Sequence, residues 1–254
     1  MRRIIPAGTH LELGDGPFRL RRIRPGLGID PGDTGFGPLG LVDRAHLSAG
    51  LVVSMHEHRD DEIVSYLRTG ALTHTDSDGN SETVTPERLM VMNAGSGFSH
   101  EERLPEGEDV HMLQIFVRPR AAGLEPAIQF AELDETAREG RWRALVAPDD
   151  DPDAAARGAA PATVRQGVRL HDARLGAGES LALPLRDGHD HWLLVFDGEV
   201  ELPDGTRLAT GAALAAAGGD RAERVRAVLD SDLVLFELDR GAGFSLAGSL
   251  SRGR

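Results

Sequence analysis

Apolar residues recur along this chain in short runs separated by glycine, proline and aspartate, and the prevailing period is two rather than 3.6. Residues 18–23 alternate in part, and 51–56, 62–67, 89–92 and 110–117 are apolar or β-branched runs, each predicted to be a strand. The run 71–75 leads into Asp76-Ser77-Asp78-Gly79-Asn80, whose Asp and Gly favour a hairpin turn. Asn93-Ala94-Gly95-Ser96-Gly97 predicts a tight turn that delivers Phe98, Ser99 and His100 onto the next strand. The Gly/Pro-rich stretch 25–40 predicts a loop.

From about 120 to 165 the rhythm changes. Residues 124–141 are polar and acidic, 148–153 are acidic and punctuated by proline, and an Ala/Gly-rich segment follows to 160, so this region reads as an exposed linker. Short extended runs then resume at 168–170, 180–183, 191–196, 198–202, 207–208, 225–229 and 233–238. The run Ile63-Val64-Ser65-Tyr66-Leu67-Arg68-Thr69-Gly70 is echoed by His191-Trp192-Leu193-Leu194-Val195-Phe196-Asp197-Gly198. The expectation is an all-β chain with two copies of one β-barrel unit, a first domain over 1–133 and a linker with a second barrel over 134–254.

The 254 residues are 40% hydrophobic but only 4% aromatic, so the cores must be built from aliphatic side chains. A net charge of −13 argues against a nucleic-acid partner. The arginines between Arg19 and Arg24 are the one local exception and read as the charged outer face of a strand. Without cysteine there is no disulfide, zinc–thiolate site or thiol nucleophile. No apolar stretch approaches the ~18 residues of a membrane span, and Met1-Arg2-Arg3 is not followed by a signal-length apolar run. These features predict a soluble, cytoplasmic protein with no membrane partner.

Two pairs of donors stand out: His56 with His58, and His100 with Glu102. Each pair is spaced i, i+2, which on a strand places both side chains on one face. Two such strands facing a common interior would offer three imidazoles and a carboxylate, a set suited to a divalent first-row transition metal rather than calcium or magnesium. A His-x-His pair alone is more often structural than metallic, and on residues alone both readings stay open.

The runs His56-Glu57-His58-Arg59-Asp60-Asp61-Glu62-Ile63-Val64-Ser65-Tyr66-Leu67, His74-Thr75-Asp76-Ser77-Asp78-Gly79-Asn80 and Met92-Asn93-Ala94-Gly95-Ser96-Gly97-Phe98-Ser99-His100-Glu101-Glu102 resemble the pirin family of the cupin superfamily, and within it the bacterial pirin-like quercetin 2,3-dioxygenases. The resemblance is close over about 50–120 and looser elsewhere. It implies a bicupin fold, an all-β pair of double-stranded β-helix barrels, with metal in the first barrel on His56, His58, His100 and Glu102. Iron(II) is the metal it implies first, and manganese, nickel, copper or zinc fit the same donors. Met55 and Glu57 stand where the family usually has proline, and Pro86-Glu87-Arg88 replaces its Gly-Asp turn.

Glu62, four positions after His58, is expected to share the histidines' face as a pocket or ligand-orienting residue. His74, Phe98 and Gln114 are expected to line the same interior, with Met92 and Leu67 in its apolar wall. His189-Asp190-His191 invites a second metal, but aligning Gly198 with Gly70 puts Pro184 and Arg186 where His56 and His58 stand, so the second barrel is predicted to be metal-free. The resemblance implies an oxidoreductase that opens a flavonol such as quercetin with O2, Glu102 exchanging between ligand and general base. Its partners would be a small aromatic substrate and O2. The competing expectation is a metal-containing redox-sensing regulator. A monomer is expected, since one barrel can pack on the other within the chain.

Overall fold

The computed structural model describes residues 1–27, 32–151, 160–218 and 224–252. Among them, regular structure is strand apart from 3-10 turns at Ala7–Thr9 and Glu135–Arg138. The strands form two seven-stranded and two four-stranded sheets. In the first half the large sheet runs, in spatial order, Ala127–Glu132, Arg88–Asn93, Glu62–Thr69, Val110–Val117, Leu39–Leu47, Phe18–Ile23, Leu11–Asp15. The small one runs Val52–His58, Phe98–Arg103, Leu72–Asp76, Ser81–Val84. In the second half the large sheet runs Arg2–Ile5, Ala213–Ala216, His189–Asp197, Ser231–Asp239, Val168–Leu175, Arg143–Pro148, Ala162–Val164. Its small sheet runs Ser180–Ala182, Arg224–Ala227, Glu199–Glu201, Arg207–Ala209.

The small sheets correspond strand for strand, and the large ones do so through their first five positions. This is the bicupin architecture, and the echo between 63–70 and 191–198 falls on equivalent strands. Gly70 and Gly198 end those strands with φ of +77° and +90°, and a Cβ at either would lie 2.6 Å from the Asp109 carbonyl oxygen or 2.2 Å from that of Asp230. The halves also exchange ends. Arg2–Ile5 pairs with Ala213–Ala216 in the second half's sheet, the place that Ala127–Glu132 takes in the first. Near the other end, Asp61 accepts hydrogen bonds from Ser249 Oγ (2.6 Å), Leu250 N (3.0 Å) and Ser251 N (2.9 Å).

The central strands of the large sheets, such as Glu62–Thr69 and His189–Asp197, are buried on both faces over most of their length, which explains their unbroken apolar runs. Trp192, Leu194 and Phe196 pack with Val64, Tyr66, Leu113 and Ile115 in the core between the halves. Leu193 and Val195 point the other way, into an aliphatic interior with Leu175, Val200, Leu208 and Val225. The interior of the first barrel is divided between two apolar clusters, one around Leu47, Leu67, Met90 and Met112, the other around Leu41, Ile63, Met92, Phe98 and Phe116.

The linker expected over 120–165 is largely structured. Ala127–Glu132 and Arg143–Pro148 are strands, and Glu135–Arg138 is a turn of 3-10 helix capped by the Asp134 side chain. Three of its charged residues, Glu135, Arg138 and Arg143, enter a largely buried network, while Glu125, Glu132, Glu139 and Arg141 stay exposed. Arg143 donates to both oxygens of fully buried Asp172 (3.0 and 2.7 Å) and to Glu135 (3.0 Å). Arg138 donates to Asp232 (2.7 Å) and Glu135 (3.1 Å), and the Tyr66 hydroxyl donates to Asp172 (2.6 Å). Residues 152–159 of the acidic, Ala/Gly-rich stretch lie outside the described residues.

Candidate metal centre

His56 and His58 lie on Val52–His58, and His100 and Glu102 on the antiparallel neighbour Phe98–Arg103, where His100 stands opposite His56. The register shifts between His100 and Glu102: Val53 to His56 takes three steps while Glu102 to His100 takes two, so the Val52–His58 strand bulges beside the site. Gly95 permits the turn before it. Its φ is +49°, and a Cβ there would lie 2.1 Å from the Leu124 carbonyl oxygen. Glu57 faces outward and takes two hydrogen bonds from Arg59.

Each of the imidazoles of His56, His58 and His100 has a nitrogen within 4.8 Å of the others, a group that could hold a metal ion. His58 and His100 are buried and His56 partly so. His56 Nδ1 lies 2.9 Å from the Ser54 carbonyl and must donate to it, which leaves Nε2 with its lone pair. Among the described residues neither nitrogen of His58 has a partner, and His100 Nε2 has none. Buried imidazole nitrogens without hydrogen bonds are costly, and a cation is the partner that would satisfy them together.

Glu102 is not part of the 4.8 Å group. It is nonetheless buried, its Oε1 has no partner, and burial pushes its carboxyl up to about 7. A cation close by would reverse that shift. The donor set and its unmet polar atoms therefore fit a divalent transition metal.

His74 stands directly behind His100. Its Nε2 faces Asp76 Oδ2 at 3.2 Å and its Nδ1 faces His100 Nδ1 at 3.1 Å. Burial pushes Asp76 up, but hydrogen bonds from Asn80, His74 and Asp78 outweigh it and hold its carboxyl below the usual value. His74 is pushed down by burial, against the pull of Asp76. A neutral His74 must donate from Nε2 to this carboxylate, so its Nδ1 accepts from His100 Nδ1. That order of donors leaves His100 Nε2 as a lone pair, the form a metal ligand requires. Asp76 was legible in the sequence only as a turn residue, although its i, i+2 spacing from His74 on one strand is the signal for a shared face. Replacing His74 with Phe, a ring that would pack between Phe98 and Phe130 (6.1 and 5.9 Å from His74), should weaken metal binding about 10- to 100-fold while sparing every ligand. Chelator competition reads this, and an unchanged affinity would remove the relay from the account.

Phe98 is buried against His74 and supports that ring. Gln114 is half-buried on the inner face of the large sheet, opposite Asp43 and Ser65. Glu62 departs from expectation. The chain reverses between His58 and Glu62, with Asp60 at φ +51°, so strand parity does not carry across. Glu62 begins a strand of the other sheet, and its carboxylate takes hydrogen bonds from Asn93 Nδ2 (2.5 Å), Arg165 N (2.8 Å) and Arg165 Nε (3.0 Å). It ties the first barrel to the second half instead of serving the histidines. His189 Nε2 accepts from Arg169 (3.3 Å) and its Nδ1 donates to the Asp187 carbonyl (3.1 Å). The strands of the second barrel equivalent to the histidine-bearing pair are Ser180–Ala182 and Arg224–Ala227, which carry no imidazole.

A family profile described as Pirin matches residues 35–117, and one described as a quercetinase C-terminal cupin domain matches 152–238. A quercetin 2,3-dioxygenase of Escherichia coli K12 is 30% identical over 210 residues, 82% of this chain and 86% of its own length. A pirin-like protein of Caulobacter vibrioides is 31% identical over 180 residues, 70% of this chain and 74% of its own. The chain belongs to the pirin family. The crystal structure of the bacterial pirin YhhW from E. coli in complex with nickel(II) matches this pirin with a TM-score of 0.80 at 25% identity, covering 94% of this chain and 99% of that one. Among the described residues no helix is long and apolar enough to cross a membrane.

The protonation of the centre sets an acid limit on the metal-free protein. Burial, with His56 next, lowers His58 to about 4 and His100 to about 2. As the pH falls through their ordinary 6.5, the unfolded chain takes up two protons that the folded chain refuses, and stability is lost. Glu102 opposes this: from about 7 down to its ordinary 4.5, the folded chain holds a proton that the unfolded one lacks. The net is one proton favouring unfolding over most of that range, then two below it. Metal-free protein should lose about 3–4 kcal/mol between pH 7 and 4, read from urea midpoints. A midpoint that stays level or rises on acidification would contradict the assignment.

Proposed function

We propose that this chain is a metal-dependent dioxygenase that opens a flavonol-type aromatic substrate with O2, quercetin being the test compound. The observation that carries the reading is the convergence of three imidazoles, two of them with buried unmet nitrogens, beside a buried acid of raised proton affinity, in a barrel with apolar walls. Quercetin 2,3-dioxygenase is the name of relatives at about this distance, which supports the choice of substrate class.

His56, His58 and His100 would hold the metal, with Glu102 as fourth donor. A bound divalent metal, iron(II) in our reading, supplies Lewis acidity toward a substrate oxygen and a one-electron path to O2. Glu102, near neutrality in its proton affinity, would accept the proton of the substrate hydroxyl and return it to product. Met92, Ile63 and Phe116 exclude water, with the Phe116 ring 6.3 Å from that of His58. Gln114 supplies a polar group on the same inner face for orienting substrate.

The test is direct. Protein loaded in turn with iron, manganese, nickel or copper is mixed with quercetin under air. The proposal expects loss of flavonol absorbance with one carbon monoxide released per quercetin, and loss of that turnover in Glu102→Gln. Tight metal binding without turnover by any of these metals would overturn it and leave the redox-sensing alternative.

A further inference from the structure

On the outer face of the first large sheet, away from the barrel interior, lies a recess of about 310 Å³ lined in part by Arg19, Arg21, Arg44, His46, His111 and Thr210. Register explains the cluster: Arg21 pairs with Arg44, Arg19 with His46, and His46 with His111, so their side chains emerge on one face. The neighbours of opposite parity, Ala45 and Met112, belong to the barrel core.

The charges here are poorly compensated. Arg44 has no carboxylate partner among the described residues; it donates to the Phe196 carbonyl (2.8 Å) and lies over the Phe196 ring at 4.5 Å. Arg19 donates to His46 Nδ1 (2.6 Å), whose Nε2 in turn donates to Asp109 (2.9 Å). Arg21 pairs with Glu12 at 2.8 Å, but both are well exposed. His46 and His111 stack at 4.3 Å. Burial lowers Arg44, with Asp197 opposing and Arg21 adding, and burial lowers His111, with His46, Arg44 and Arg19 adding and Asp109 opposing. His10, which feels both Arg21 and Arg44, keeps a buried Nε2 without a partner. In a chain of net charge −13, the recess itself is lined by three guanidiniums and one carboxylate, Glu12, while Asp109 and Asp197 act on the cluster from outside that lining.

We infer that this recess is a binding site for a small oxyanion, the phosphate or carboxylate group of a compact metabolite. Guanidinium forks match the paired oxygens of either group, and a half-buried arginine without a carboxylate is what an incoming anion would neutralise. The recess is too small and too local to follow a nucleic-acid backbone, which the overall field would also repel.

The test is calorimetric titration of metal-loaded protein with inorganic phosphate and with citrate at low ionic strength, against sodium chloride at equal ionic strength. A single saturable site for either anion is expected. The tighter of the two identifies the ligand as phosphate-like or polycarboxylate. Arg44→Gln should weaken binding about 10- to 100-fold. Arg44 also bridges the halves, so the exposed pair Arg19→Gln/Arg21→Gln serves as the second variant and should weaken it at least about tenfold. Arg207→Gln, whose partner Glu199 lies in the second barrel, should bind as the parent does. No saturable heat with either anion, chloride acting as phosphate does, or parent affinity in the double variant would overturn the inference.

Discussion

His58→Ala should leave the protein unable to retain metal through gel filtration. His58 is the buried imidazole with neither nitrogen satisfied, so among the described residues nothing competes for its lone pair. Removing it leaves His56 and His100, with Glu102 outside their immediate group. The loss should exceed the roughly 10- to 100-fold cost of deleting an outer hydrogen-bond partner, and elemental analysis of the purified variant is expected to fall to background. His189→Ala is the matched control, since His189 is occupied by Arg169 and the Asp187 carbonyl, and its metal content should equal that of the parent. Parent-level metal in His58→Ala would mean that the ion sits elsewhere.

Asp172→Ala should destabilise the fold by about 3–5 kcal/mol and lower Tm by about 10 °C. Asp172 is fully buried and accepts from Tyr66 and twice from Arg143, while Arg138 lies 3.9 Å away. Tyr66 belongs to the first large sheet, while Asp172 and Arg143 stand opposite each other on neighbouring strands of the second, so this carboxylate joins the two halves at their interface. Truncation would leave a buried guanidinium with Glu135 as its remaining carboxylate. Urea unfolding of the full chain measures the effect. A loss under about 1 kcal/mol would show that Glu135 and water replace Asp172.

The same interface shows why some of the molecule was legible in sequence and some was not. Strands with period-two patterns, the hairpin at 76–80 and the glycine turn before His100 depend on local chemistry, and local chemistry is what a sequence displays. The linker reading of about 120–165 missed the strands Ala127–Glu132 and Arg143–Pro148 because Glu135, Arg138 and Arg143 look like solvent residues until Asp172 and Asp232, which come later in the chain, are placed beside them. Glu62 was assigned to the wrong face because counting by two assumes an unbroken strand, and Asp60 breaks it. The arginine strand was read correctly as a strand, but Arg22 turns inward to Asp43 (2.9 and 2.8 Å). The histidine pairs were visible because their spacing is itself the geometry. The relay through His74 was not, because it runs across strands: His74 is opposite Glu102 and Asp76 opposite His100, a register that only pairing reveals.

A crystal of protein loaded with nickel(II) or iron(II), measured at the metal's absorption edge, puts the central claim to its plainest trial. One anomalous peak is expected per chain, bounded by the imidazoles of His56, His58 and His100 with the Glu102 carboxylate turned toward it. A loaded crystal with no peak among those three rings, or with its peak at another histidine–carboxylate pair such as His171 and Glu237, would contradict the account.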